Sequence, residues 1–341
     1  MTSMLTGDST NALADVKSLP FPQGWFSLGL SSDVKRGQVK AVRLAGRELV
    51  VFRTASGELG LLDAYCPHLG AHLGQGGTVS ERGAVRCPFH GFEFDRGGAC
   101  VATAYGSKPP PTAKLTPHAV QDRNGVVLAW FDPHGRPPGW EVPEVDLSTA
   151  SAWATHHWLL TGHPQETSEN SVDIGHFEQV HGYKAVRSNE RAVAEGPVLR
   201  ADYSFTRPLL SFGQRHLGPT LDIKVNVFGL GVSVVHATAR EFGLSFKLLV
   251  LPTPVDAGTI DLRIALAVLT PDTKWWHRLL PRFISHGLMP GQLIKVYQRE
   301  IEQDFEVWRH KKYAPRPALA AGDGPIGLYR QWSRQFYAPA T

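Results

Sequence analysis

The sequence predicts an α+β protein in which an N-terminal all-β domain precedes an antiparallel sheet closed by a C-terminal helix. Three observations carry this expectation. Short alternating segments punctuated by glycine turns fill the first third of the chain, as in Leu49 to Thr54 and Leu59 to Ala64 around Ser56-Gly57-Glu58. Longer alternating runs follow at 221–237, 244–251 and 259–269, with Asp256-Ala257-Gly258 as a turn between the last two. Residues 291–313 then switch to helical period, with Val296, Ile301, Phe305 and Trp308 marking an apolar stripe.

At 341 residues the chain is long enough for two domains, each with its own core. A formal charge of +4, with the basic residues scattered, argues against a nucleic-acid partner. The sequence lacks a run of eighteen uncharged apolar residues, and Asp8 and Asp15 interrupt its beginning. The expected location is therefore cytoplasmic.

Taken in order, residues 1–20 have no period and read as a flexible arm. Structure is expected from Phe21. The hairpin over 49–64 feeds a first loop at Cys66, and a second hairpin, Phe92 to Asp95 turning at Arg96-Gly97-Gly98 towards Cys100-Val101, follows a second loop at Cys87. Prolines 109, 110, 111 and 117, then 133, 137, 138 and 143, mark rigid surface connections on either side of a strand over 125–131. The boundary falls between Gly139 and Ser151, giving domains over 21–145 and 146–341.

The two loops carry the strongest signal in the chain. Cys66-Pro67-His68 and Cys87-Pro88-Phe89-His90, with eighteen residues between His68 and Cys87, match the spacing of a Rieske 2Fe-2S cluster, in which two cysteines hold one iron and two histidines the other. A tetrahedral zinc site also takes two Cys and two His, but zinc modules pair like with like, whereas each loop here supplies one of each. Gly70 and Gly91 permit sharp turns that would bring N–H groups towards the sulfurs. The third cysteine, Cys100, reads as a small buried apolar residue.

A second metal site is suggested by His176 and His181. With a carboxylate from elsewhere they would form the facial triad of a non-haem Fe(II) oxygenase. Five residues apart, they would diverge by about 140° on a regular helix, so a distortion or a helix end must separate them. Asp173, three residues before His176, would stand behind it and fix its tautomer. Asp304 falls within the apolar stripe of the last helix, where a carboxylate needs a partner, and a metal would supply one. Glu300, one turn earlier, is the rival, while Glu302 and Glu306 face solvent.

Together these motifs resemble the Rieske non-haem iron oxygenases, specifically their oxygenase component, over nearly the whole chain beyond the arm. The run Glu169, Asn170, Asp173, His176, His181 resembles their mononuclear iron motif, and Asp304 ahead of Trp308 resembles their third ligand. The resemblance implies a Rieske domain followed by a helix-grip (START-like) domain, with Cys66, His68, Cys87 and His90 on the 2Fe-2S cluster and His176, His181 and Asp304 on a mononuclear Fe(II). It also implies that Asp173 links that iron to the cluster of a neighbouring subunit, that Asn170 lines the pocket, and that the chain forms a homotrimer. Electrons would come from a separate reductase or ferredoxin, and O2 would be the oxidant. The wording around Cys66 and the single-chain size look most like sterol desaturases of the Neverland type and ketosteroid hydroxylases, which implies a lipophilic polycyclic substrate. An oxidative cyclase of the prodiginine type is the alternative chemistry, and an electron-carrier or lipid-binding module the alternative without catalysis. Trp275-Trp276-His277-Arg278-Leu279-Leu280-Pro281-Arg282-Phe283-Ile284 could cap the core or form a lid in peripheral contact with membrane.

Overall fold

Alternation between core-facing and outward residues builds three small sheets in the first 131 residues of the computed structural model, which describes residues 13–15, 18–212, 215–269 and 283–337. Strand β1 (Gly24–Leu30), buried along its whole length, pairs with β10 (Val126–Phe131), which pairs with β9 (Val120–Arg123). Strands β2 (Val39–Leu44), β3 (Arg47–Arg53) and β4 (Leu59–Asp63) form an antiparallel meander. The expected hairpin is β3–β4, in register from Leu49 opposite Asp63 to Arg53 opposite Leu59. Four short strands, β5 (Thr78–Val79), β6 (Val85–Arg86), β7 (Glu93–Phe94) and β8 (Cys100–Ala102), complete the region. Phe26, Phe52, Leu61, Leu62 and Phe94 are its buried centre.

The second half is a seven-stranded antiparallel sheet. Its order is β11 (Ala154–Thr161), β19 (Thr259–Val268), β18 (Leu244–Asp256), β17 (Val232–Ala239), β16 (Thr220–Phe228), β13 (Val198–Thr206) and β12 (Lys184–Glu195). The run expected over 221–237 is two strands, because Gly229-Leu230-Gly231 reverses the chain and Phe228 pairs with Val232. A separate hairpin joins β14 (Leu210–Phe212) to β15 (Arg215–Leu217).

Among the described residues, four α-helices accompany the sheet. They are α1 (Pro164–Glu169), α2 (His176–Gln179), α3 (Met289–His310) and α4 (Ile326–Ser333). Helix α3 presents Ile294, Tyr297, Ile301, Phe305 and Trp308 to Ile223, Leu248, Leu262 and Ile264 of the sheet. Trp158 of β11 reinforces this docking, edge-on to Phe305 and donating from Nε1 to Glu302 Oε1 at 3.2 Å. Val296, expected in the stripe, is only half-buried and borders a separate groove. Most of the expected lid, Trp275 to Arg282, lies outside the described residues.

The two halves share a core. Trp25, Trp130 and Val142 pack against Val232, Val234, Leu249 and Leu251 of the large sheet. Trp25 Nε1 donates to the Trp140 carbonyl at 2.7 Å, and Thr253 Oγ1 donates to the Ser27 carbonyl at 2.8 Å. A Cβ on Gly231 would lie 2.2 Å from the Trp25 carbonyl oxygen, so only glycine permits this approach. The expected arm is not free throughout, since Ala14 exchanges backbone hydrogen bonds with Tyr313 at 2.8 and 2.9 Å.

His163 caps α1 and ties it to the N-terminal region. Its Nδ1 accepts from the Gln165 backbone N–H at 3.2 Å, and its Nε2 donates to the Pro20 carbonyl at 3.1 Å, which requires the neutral ring. Burial pushes its pKa down from 6.5 to about 4, against the raising effect of the Pro20 bond. The stabilisation is therefore complete above the unfolded value of 6.5 and declines as pH falls towards 4. We expect a loss of up to about 3 kcal/mol over that window. His163→Asn offers a capping oxygen in place of Nδ1 and does not titrate, so its denaturation midpoint should fall less between pH 7.5 and 5 than that of the parent chain. Equal slopes would remove His163 as the cause.

Candidate metal centres

Each cysteine loop is closed by the same device. The Cys66 carbonyl accepts from Gly70 N at 2.9 Å and the Cys87 carbonyl from Gly91 N at 3.1 Å, with φ of 76° and 64° at the two glycines. The glycine N–H groups themselves thus close the turns. The backbone N–H of His68 approaches sulfur, bonding to the Cys66 thiol. Tyr65 bridges His72 across the first loop, and the second joins β6 to β7, so both loops are hairpin tips.

The two thiols are buried at 2% and 3% exposure, whereas His68 and His90 are half-exposed. The imidazole rings lie 4.7 Å apart, and His68 stacks on Phe92 at 4.4 Å. Burial pushes the Cys66 thiol up to about 11, the His68 N–H opposing. Such a thiol is protonated at neutral pH unless a cation stabilises the thiolate. The buried Nδ1 of His68 has no hydrogen-bond partner among the described residues. These donors suit a 2Fe-2S group with its sulfur side inward and its histidine side towards solvent. Cys100 is only half-buried, its thiol 3.4 Å from the Ala102 carbonyl, which corrects the expectation of full burial.

The second cluster joins three distant segments. Helix α1 ends at Glu169, the chain unwinds over 170–175, and α2 lasts one turn before His181. This helix end removes the angular conflict between His176 and His181, whose rings lie 5.2 Å apart. One donor atom each from His176, His181 and Asp304 lies within 4.8 Å of the others. His181 Nε2 is 3.8 Å from Asp304 Oδ2, while its Nδ1 is 2.9 Å from Gln303 Oε1. The Gln303 bond assigns the proton to Nδ1 and leaves Nε2 as a donor atom facing Asp304. Gln303 was not singled out in the sequence; its place next to Asp304 was the available clue.

Asp173 Oδ2 stands 3.4 Å from His176 Nδ1, and its Oδ1 accepts from the His176 backbone N–H at 3.3 Å. Burial opposes ionisation of Asp173, but the bond and charge of His176 outweigh it and hold the pKa below the usual range. Asn170 Nδ2 donates to Asp304 Oδ2 at 3.2 Å and also lines the cavity below. Burial raises the pKa of Asp304, against the lowering influence of His181, His176 and Asn170. Glu300 is not in this group, being paired with Arg207. A buried carboxylate between two imidazoles fits a divalent iron, which accepts two nitrogens and one oxygen on one face.

A cavity of about 130 Å³, partly open to solvent, lies between α3 and the sheet. Its walls are Ile223, Val225, Val235, Leu248, Val250 and Leu262, and its iron-site end is formed by His181 and Asp304. The lining suits an apolar molecule.

Two-cysteine, two-histidine loops ahead of a helix-grip domain with a two-histidine, one-carboxylate cluster define a class, the Rieske oxygenases. Comparison with known proteins agrees. Residues 24–114 match the Rieske [2Fe-2S] domain and residues 129–337 the 3-ketosteroid 9alpha-hydroxylase C-terminal domain. A cholesterol 7-desaturase of Ciona intestinalis is 30% identical, the match covering 93% of this chain and 69% of the relative. The oxygenase component of a 3-ketosteroid-9-alpha-monooxygenase of Rhodococcus rhodochrous is 28% identical, covering 93% and 81%. Among solved structures, NdmA of Pseudomonas putida CBB5 with caffeine, as the QL mutant, aligns with a TM-score of 0.69 at 18% identity, covering 91% of this chain and 89% of that one. Dicamba monooxygenase bound to dicamba aligns at 0.65 and 16%, covering 92% and 96%. The chain belongs to the 3-ketosteroid 9alpha-hydroxylase family of Rieske oxygenases. It is an oxidoreductase whose cofactors are a Rieske 2Fe-2S cluster and a mononuclear non-haem iron, and it uses O2 and a separate electron donor. None of its described helices is long and apolar enough to cross a membrane.

A buried ionic quartet behind the iron site escaped sequence reasoning. Arg330 of α4 grips both oxygens of Glu169, reaches Glu166 at 3.4 Å and stacks on Tyr313, while Lys311 pairs with Glu166 at 2.7 Å. The carboxylates are 5% and 9% exposed, so each depends on its cation. Arg330→Met should destabilise the chain by about 3–5 kcal/mol. Adding Glu169→Gln should recover part of that loss in chemical denaturation, whereas strictly additive losses would show that the pair is not coupled.

Proposed function

We propose that this chain is the terminal oxygenase of a multicomponent monooxygenase that oxidises a C–H bond of a lipophilic polycyclic substrate of the sterol or steroid class. The carrying observation is the apolar cavity between α3 and the sheet, which ends at His181 and Asp304. The printed activities of the two similar proteins, on cholesterol and on a 3-ketosteroid, support the substrate class.

In this reading Cys66, His68, Cys87 and His90 hold the cluster, and His176, His181 and Asp304 hold the iron. The cluster supplies single electrons and the iron an open face at which O2 is activated. The chain's own residues do the rest. Gln303 fixes the His181 ring so that Nε2 faces inward, and Asp173 accepts from the His176 backbone N–H and sets its carboxylate 3.4 Å from His176 Nδ1. Asn170 holds Asp304 by one oxygen, restricting how the carboxylate turns. The aliphatic wall excludes water from the oxidised carbon and holds it at the metal, which is where positioning lowers the barrier.

Asp173 is 27% exposed, so one carboxylate can face His176 while remaining reachable from a neighbouring chain. We assign it the link to the cluster of the next subunit in a homotrimer. The oxidative cyclase reading shares this machinery and differs in product. Incubation with reductase, O2 and a panel of sterols, steroids and polycyclic natural products, with product structures determined by mass and NMR analysis, separates them. Oxygen gain or loss of two hydrogens without a new ring supports the proposal, and ring closure supports the cyclase.

Two substitutions test the assignments. Asp304→Ala should lose one iron per chain and keep the Rieske paramagnetic signal, since the clusters occupy different domains; unchanged iron would reject Asp304. Asp173→Asn should retain both metals and drop turnover by about a hundredfold or more, as loss of an orienting link costs. Loss of the mononuclear iron in that variant would make Asp173 a structural partner of His176 alone.

A further inference from the structure

Three tyrosines line the cavity beside its aliphatic wall, apart from the polar residues Thr167, Asn170 and Ser171 contributed by α1 and the turn after it. Tyr203 comes from β13, Tyr297 from α3, and Tyr183 from the segment before β12, where its hydroxyl faces the Glu300 carboxylate. Tyr183 and Glu300 thus engage each other, and Glu300 also holds Arg207. Tyr203 and Tyr297 differ. Tyr203 is 6% exposed and Tyr297 half-buried, yet neither hydroxyl has a hydrogen-bond partner among the described residues. Burial raises both above the usual phenol range, so each carries its proton and can donate.

Neither hydroxyl is sealed from the cavity, and phenylalanine would fill the same space without a polar group there. Two such groups opening on one cavity are what a site retains when its partner is the ligand. Their position defines the spacing. Tyr297 precedes Asp304 by seven residues on α3, two turns on the same face, or about 10 Å along the axis. We propose that Tyr203 and Tyr297 form a polar subsite for an oxygen substituent, hydroxyl or oxo, borne by the substrate about two helical turns from the carbon oxidised at the metal. This rests on the polycyclic reading above and sharpens it. A rigid fused-ring skeleton is required because a flexible chain would not transmit the anchor to the reacting carbon, so the tyrosines select the position oxidised.

The test uses the metal-loaded chain with Tyr203→Phe, Tyr297→Phe and the double variant. Equilibrium binding is measured by calorimetry for three steroids of one skeleton, bearing a hydroxyl, an oxo group or hydrogen at the same terminal ring position, and turnover products are mapped by mass spectrometry. Each substitution should weaken the oxygenated ligands by about tenfold and leave the deoxy analogue within about twofold. The hydroxyl and oxo arms tell which oxygen is taken. The double variant should oxidise more than one carbon. Melting of the ligand-free variants should be unchanged or raised, whereas a structural hydroxyl would lower it.

Equal weakening of all three ligands, no weakening, or a lowered melting point in both single variants would overturn the subsite while leaving the polycyclic reading intact. Failure of the parent chain to bind any of the three would instead overturn that reading and the subsite with it.

Discussion

A carboxylate on the apolar face of a helix constrains the rest of this molecule. Asp304 is 7% exposed on α3, and its neighbours are two imidazoles from a segment more than a hundred residues earlier. Bringing their donor atoms within 4.8 Å requires α3 to lie across the sheet at one depth and α1 to end where it does. An ordinary helix through 169–181 would turn His181 away. The unwinding at 170–175 and the early stop of α2 are therefore part of the site, as is the Asn170 bond that spans them.

That placement is enforced from behind. All six residues of α1 are buried, and α4 clamps them through Arg330, while Tyr329 donates to the Gln165 carbonyl at 2.6 Å and Tyr337 to Gln165 Oε1 at 2.7 Å. A short helix has little intrinsic stability, so tertiary contacts decide its geometry. The ionic quartet adds direction, because a bidentate guanidinium fixes its carboxylates in angle as well as distance. The shared tryptophan core does the equivalent for the two domains, holding the cysteine loops on a frame continuous with the large sheet. Electron delivery depends steeply on position, and a rigid frame serves it better than a hinge.

The cavity shows the opposite design. Its walls are apolar and well packed, but the hydroxyls of Tyr203 and Tyr297 are left without protein partners among the described residues. Stability and recognition conflict at such points, since the groups that read a ligand are the ones the ligand-free fold would do without.

The sequence alone determined the cysteine-histidine loops, the strand-rich halves and the residues that could form an iron site, because these rest on residue type and short spacing. Hairpins β3–β4 and β18–β19 were legible from strict alternation and a glycine turn between. Strand β12 was not, because it lies at the sheet edge with exposed residues on both faces and irregular register with β13, leaving no period to read. The split of 221–237 into two strands was hidden by glycines that also occur inside strands. Only tertiary structure decided which carboxylate joins the histidines. Asp304 and Glu300 are one turn apart on the same helix, and spacing ranks them weakly. Arg207, nearly a hundred residues upstream, neutralises Glu300, and the two imidazoles surround Asp304. Long-range pairing carries no local signature, so the partners of Gln303, Glu169 and Tyr183 became visible only when the chain had closed on itself.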